Sequence, residues 1–276
     1  MRCPAQIRSA FCCVGVALFF VASAVCAVRP QYGGVLRVEL RASSITLNPR
    51  RWKPGSQEFA TNERLAELIF DRLVWLDNYG RFQPQLATDW SHDSSAKRWQ
   101  FTLRQGVKFS DGTLLAPADV VAALQPMLAA GMQISATPNG VTIQSANPAN
   151  DLLEQLASGS HFVYRSDEQG NLLGTGPFVL ENATLNSTFS RAEKSAADGV
   201  APQTQHLRFR FNDLCWSGRP FVDAVDVTLG VPPQRALLDL QLGKTDLEFV
   251  HGVVKRLNLP GDLIDLPGAI LLLFVD

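Results

Sequence analysis

From Phe82 to Val121 the side chains leave the backbone few choices. Trp99, Phe101 and Leu103 alternate with Gln100, Thr102 and Arg104, the period of a strand with one buried face. Asp111-Gly112 then supplies a tight turn, because glycine accepts the positive φ that other residues resist. Pro117 opens a helix, where its missing N–H would be unbonded anyway. The preceding residue is Ala116, which has no side-chain oxygen to cap that helix, an omission worth about 1 kcal/mol. Asp119 in the first turn offsets part of the loss, and Pro126 ends or kinks the helix. None of these residues points to covalent chemistry.

The flanking sequence is read in the same way. After Gly33-Gly34, Leu36, Val38 and Leu40 face one side and Arg37, Glu39 and Arg41 the other, again a half-buried strand. Thr46-Leu47-Asn48-Pro49 is a turn. Leu65, Leu68, Ile69 and Leu73 recur at helical spacing and predict an amphipathic helix over 61–75, followed by a turn at Asp77–Gly80. Further strands are expected at Gly140–Ile143, His206–Phe211 and Val225–Leu229, with helices at Asp151–Ala157 and Pro233–Leu242, the last ended by Gly243.

The first 27 residues carry no fold of their own. Arg2 and Arg8 precede a run without charge from Ser9 to Val28 that closes on Ser23-Ala24-Val25-Cys26-Ala27. This is the layout of a secretory signal peptide cut after Ala27, although about 20 uncharged residues could also remain as an uncleaved span. Ser23-Ala24-Val25 is a poor lipobox for Cys26. Four of the five cysteines lie in that segment, leaving Cys215 without an internal partner, between Leu214 and Trp216, as a buried thiol. Without Arg2 and Arg8 the chain keeps 23 basic against 26 acidic residues, a net near −3. That balance, with no basic aromatic cluster, argues against nucleic acid.

Searches for chemistry end quickly. His92, His161, His206 and His251 are scattered singly, so no metal site and no cofactor is expected. No GxSxG, HExxH or nucleophile–base pair occurs, and no enzyme is expected. Gly243-Lys244-Thr245 suggests a Walker A loop, but Leu238 stands where its first glycine must be. Gly174-Thr175-Gly176 precedes a proline and has no third glycine, so it is read as a backbone crossing rather than a phosphate loop. The sequons at Asn182 and Asn186 would matter in a eukaryotic secretory pathway and are otherwise read as chance.

Several pieces together resemble the family 5 extracellular solute-binding proteins, the peptide- and nickel-binding components of bacterial ABC importers. They are Pro84, Leu86-Ala87 and Trp90; Phe101, Leu103-Arg104 and Gly106-Val107-Lys108-Phe109; Asp111-Gly112; and Asp119-Val120. Leu47-Asn48-Pro49 is similar to the family's L-[DN]-P step, and Gly174–Phe178 to its GTGP[YF] element. Asn212–Pro220 resembles N-x-x-YW-x-G-x-P, with Cys215 in the tyrosine position. The resemblance implies an α/β fold: a periplasmic-binding-protein type II-like lobe built from 34–55 and 170–276, with 56–169 as an inserted subdomain. It also implies a periplasmic or extracellular monomer that binds a peptide or similar small solute and works with ABC permease subunits. By the same resemblance Ser43, Ser44 and Ile45 are candidate ligand-binding residues, with a solvent loop as the alternative.

The resemblance covers the N-terminal half of a family member, so the second lobe is expected to be missing. A micromolar ligand is bound by about −8 kcal/mol, so one lobe supplying half of that would hold it only at about millimolar. Two other readings stand beside the receptor: a truncated remnant without transport activity, and an exported enzyme or scaffold built on the lobe.

Overall fold

The computed structural model describes residues 32–40, 42, 45–56, 58–181, 205–250 and 253–255, with backbone alone at 248–250 and 253–255. The leader expected at 1–27 and both sequons lie outside the described residues.

The architecture is α/β. In chain order the elements are β1 (Val35–Leu40), α1 (Phe59–Ala66), β2 (Val74–Leu76), β3 (Phe82–Pro84), β4 (Ala87–His92) and β5 (Arg98–Leu103). Then come α2 (Pro117–Leu124), β6 (Met132–Thr137), β7 (Gly140–Ser145), α3 (Leu152–Ala157), β8 (Arg165–Ser166) and β9 (Leu172–Leu173). The remainder are β10 (Phe178–Leu180), β11 (Gln205–Phe211), β12 (Ala224–Leu229), α4 (Pro233–Gln241), β13 (Leu247–Val250) and β14 (Val253–Lys255). The larger sheet has six strands in the order β10-β11-β12-β1-β13-β14, and the smaller has four in the order β4-β5-β7-β6.

Within the larger sheet β1 runs parallel to both neighbours, with Val38 opposite Val227 on one side and Leu247 on the other. The remaining pairs are antiparallel. The alternation read along β1 is realised. Val38, Leu207 and Val227 share the core face, while Arg37, Arg208 and Asp226 share the opposite one. The smaller sheet is antiparallel throughout and buries Trp99, Phe101, Val141 and Ile143 under Val120 and Leu124 of α2 and Leu152 and Leu156 of α3. Each such large apolar side chain contributes about 1.5–3 kcal/mol on burial.

Two hydrophobic clusters therefore exist, one under each sheet, within a compact unit that begins at Tyr32. Leu65, Ala66, Leu68, Ile69 and Phe70 belong to the cluster under the six-stranded sheet, and Leu73 and Val74 to the other. The change of core thus falls at Asp71–Arg72.

One expected element ends early. The helix predicted over 61–75 stops at Ala66, and the chain is back in a strand at Val74. Leu68 O accepts from Phe178 N at 2.8 Å and Ile69 O from Gly176 N at 3.1 Å. Those carbonyls are engaged by the returning chain and cannot continue a helix. The apolar stripe was buried as read, but split between two cores.

Candidate functional site

Asp71 sits where the chain leaves one core for the other, and its carboxylate gathers three distant segments. Gln85 Nε2 donates to Oδ1 at 2.7 Å, while Thr175 Oγ1 at 2.7 Å and Trp216 Nε1 at 2.9 Å donate to Oδ2. Arg104 stacks over the Trp216 ring at 4.2 Å and donates through Nε to Gln85 O. Burial pushes the Asp71 carboxyl above its ordinary range, and the hydrogen bonds from Trp216, Thr175 and Gln85 with the charge of Arg104 pull it back only in part.

The two motifs read from the sequence meet here. Asn212 donates through Nδ2 to Gly176 O and through its backbone N to Pro177 O, each at 2.8 Å. Gly174 and Gly176 press on the Ile69 backbone so closely that a Cβ at Gly174 would overlap Ile69 O. The Asp111-Gly112 hairpin also docks on this junction: Ser110 N donates to Gly174 O at 2.9 Å, and Arg165 pairs with Asp111 at 2.7 Å. Sequence reasoning missed Asp71, whose signal was an acid inside the apolar run Leu68–Trp75.

Chemically the junction is inert. Both oxygens of Asp71 are occupied by donors, so it is no free base. Burial raises the Cys215 thiol above its ordinary range, and its sulfur lies 3.2 Å from Ser217 Oγ with no activating base. The arrangement fixes segments in place.

A second region lies at the carboxyl edge of the parallel strands, where open α/β sheets place ligands. Gly230 N donates to Leu40 O at 3.1 Å and to Ala42 O at 3.0 Å, tying the start of the β1–α1 loop to the end of β12. Further along, Thr46 N donates to Asn62 Oδ1 at 3.0 Å and Trp52 Nε1 to Thr46 O at 2.7 Å. Asn48 Oδ1 accepts from Arg50 N and from Tyr164 OH, both at 3.1 Å. Of the predicted ligand residues, Ser43 and Ser44 lie outside the described residues. Ile45 is 4% exposed and packs in the core beneath the six-stranded sheet.

The polar face of that sheet carries a cavity of about 370 Å³ lined by Arg37, Glu39, His206, Arg208, Asp226 and Thr228 among others. Its arginines are paired: Arg37 with Asp246 at 3.0 Å, and Arg208 with Glu181 at 2.9 Å and Asp226 at 3.1 Å. No group of three or more His, Cys, Asp or Glu side chains is arranged to hold a metal among the described residues.

Residues 81–250 match the family described as bacterial extracellular solute-binding proteins, family 5 Middle. The nickel-binding periplasmic protein of Escherichia coli is 25% identical over 231 residues, covering 74% of this chain and 38% of that protein. A probable peptide ABC transporter periplasmic-binding protein of Sinorhizobium fredii is 25% identical over 209 residues, covering 67% of this chain and 38% of its own length. The chain thus matches less than half the length of either relative. Among solved structures, the fold is similar to the ABC transporter-associated periplasmic binding protein DppA from Helicobacter pylori in complex with a peptide. There the TM-score is 0.62 at 18% identity, over 81% of this chain and 48% of that one. These proteins are binding proteins, not enzymes. With a family match that runs over more than half of the sequence, the chain belongs to the bacterial extracellular solute-binding proteins of family 5.

Proposed function

We propose that this chain acts in the periplasm as the solute-binding component of an ABC importer, taking a peptide or similar small solute for delivery to membrane permease subunits. The six-stranded sheet is the core of a type II-like binding lobe, and the four-stranded sheet is a subdomain inserted into it. The solute lies at the carboxyl edge of β1, β12 and β13, beside the loop that contains Ser43, Ser44 and Ile45. Ile45 contributes there through its backbone, since its side chain is buried.

The observation that carries this reading is β1 paired in parallel on both sides, which gathers three strand ends at one edge next to a hydrogen-bonded loop. An inert, saturated junction between the two cores suits a lobe that moves as a rigid body and binds without transforming its ligand.

The test is thermal stability of the full chain, recovered from the exported fraction, against di- and tripeptide mixtures, with calorimetric titration of any hit. A saturable rise in Tm with intact peptide recovered supports the reading. No shift with any solute, or hydrolysis of the added peptides, rejects it.

A further inference from the structure

We propose that Arg50, with Arg51 and Lys53 beside it, forms an anion-binding subsite on the β1–α1 loop, and that the bound solute presents a carboxylate or comparable anionic group to it. This rests on the solute-binding reading and narrows it to a class of ligand.

The first observation is local charge. Arg41, Arg50, Arg51 and Lys53 stand in a stretch with no acidic residue between Glu39 and Glu58, in a chain whose formal net charge is −1. Several other arginines are neutralised at close range. Arg64, Arg72, Arg165 and Arg208 each lie 2.6–3.3 Å from a carboxylate. Arg50, Arg51 and Lys53 are exposed and have no ion pair among the described residues. Three like charges within four residues repel one another, and an anion relieves that repulsion.

The second observation is preorganisation. Arg50 Nη2 donates to Ala122 O at 2.9 Å, and its guanidinium carbon lies 5.8 Å from the centre of the Tyr164 ring. Asn48 Oδ1 holds both the Tyr164 hydroxyl and the Arg50 backbone N–H at 3.1 Å. The guanidinium is therefore positioned from two elements, α2 and the segment before β8, while its other N–H groups donate to no described residue. A planar fork held this way suits a carboxylate, which accepts two parallel hydrogen bonds. A strut between the two cores would need only the Ala122 bond and would gain nothing from two further unpaired cations. The loop leaves the carboxyl end of β1, the edge at which a ligand of this sheet is expected.

The test is calorimetric titration of the full chain with sodium citrate, at low salt and at about 0.15 M sodium chloride, where exposed charges are screened beyond about 8 Å. The expected result is saturable binding that weakens with salt. It falls at least tenfold in R50Q, recovers only in part in R50K, and falls less steeply in R51Q/K53Q. The control K97Q/R98Q, at two cations that also have no ion pair among the described residues, binds as the parent does. Absent citrate binding overturns the proposal, as does equal affinity in R50Q or an equal loss in the control. Should R50Q fail to fold by circular dichroism, unchanged affinity in R51Q/K53Q overturns it instead. The same samples are titrated with N-acetyl-trialanine amide, which has no charge. If that peptide binds and citrate does not, the anion subsite is rejected while the receptor reading stands; if neither binds, both fall.

Discussion

Asp71 shows how much one buried side chain can organise. Its three donors come from Gln85, Thr175 and Trp216, and an amide in its place would turn an N–H toward at least one of them. D71N is expected to lower stability by about 1–3 kcal/mol, the usual cost of a buried donor left unpaired, read as a shift in the urea midpoint. The same residue sets a pH dependence. Because its folded-state pKa is raised, chiefly by burial, its contribution to stability is complete below the ordinary aspartate range. That contribution is lost as pH rises through the raised value. Asp77, held at about 2 by hydrogen bonds from Arg81, Gln83 and Tyr79 that outweigh its desolvation, behaves oppositely: its contribution disappears as pH falls toward that value. As pH rises above the ordinary aspartate range, urea midpoints of the parent should therefore fall more steeply than those of D71N, and parallel curves would refute the assignment. At Gly174, where any Cβ meets Ile69 O, alanine is expected to cost at least about 2 kcal/mol.

At the scale of elements, α2 is the clearest case. Ala116 offers no side-chain cap, yet its backbone N–H donates to Asp119 Oδ2 at 2.8 Å, so half of a capping box is present. A116S should complete it and raise stability by about 0.5–1.5 kcal/mol, measurable as a higher Tm with unchanged circular dichroism. The elements legible in the sequence were those specified by their own neighbours. β5 follows from strict alternation at Trp99, Phe101 and Leu103, and the end of α2 at Leu124 from Pro126. The illegible ones depend on distant partners. Nothing between Leu65 and Leu73 announces that the Leu68 and Ile69 carbonyls will be taken by Phe178 and Gly176, more than a hundred residues later. The candidate ligand residues were hard to read for a related reason. Ile45 looks like a loop residue by composition, but Asn62 and Trp52 fold its loop inward through Thr46.

Across the whole molecule, stability depends on how firmly the two cores are joined. Near the change of core, Arg72 is 6% exposed at its side chain and bonds Glu63 at 2.6 Å and Glu67 at 3.0 Å, with its guanidinium 3.9 Å from the centre of the Phe162 ring. R72M would leave two partly buried carboxylates without their cation, and is expected to cost about 3 kcal/mol in chemical denaturation. Trp216 reports on the joint directly, through its bond to Asp71 and its stack with Arg104. Unfolding of the parent followed by tryptophan fluorescence and by far-ultraviolet circular dichroism should coincide, and should separate in D71N if the joint couples the cores.

The placement of β1 has a further consequence, for the order of events in making the protein. Its residues 35–40 are among the first of the fold to be synthesised, yet its sheet neighbours are residues 224–229 and 247–250. The central strand cannot be seated until nearly the whole chain is available, and contacts so distant in sequence form slowly. The six-stranded sheet therefore has no centre to grow from while synthesis is under way, and it closes only once both flanks of β1 have been made.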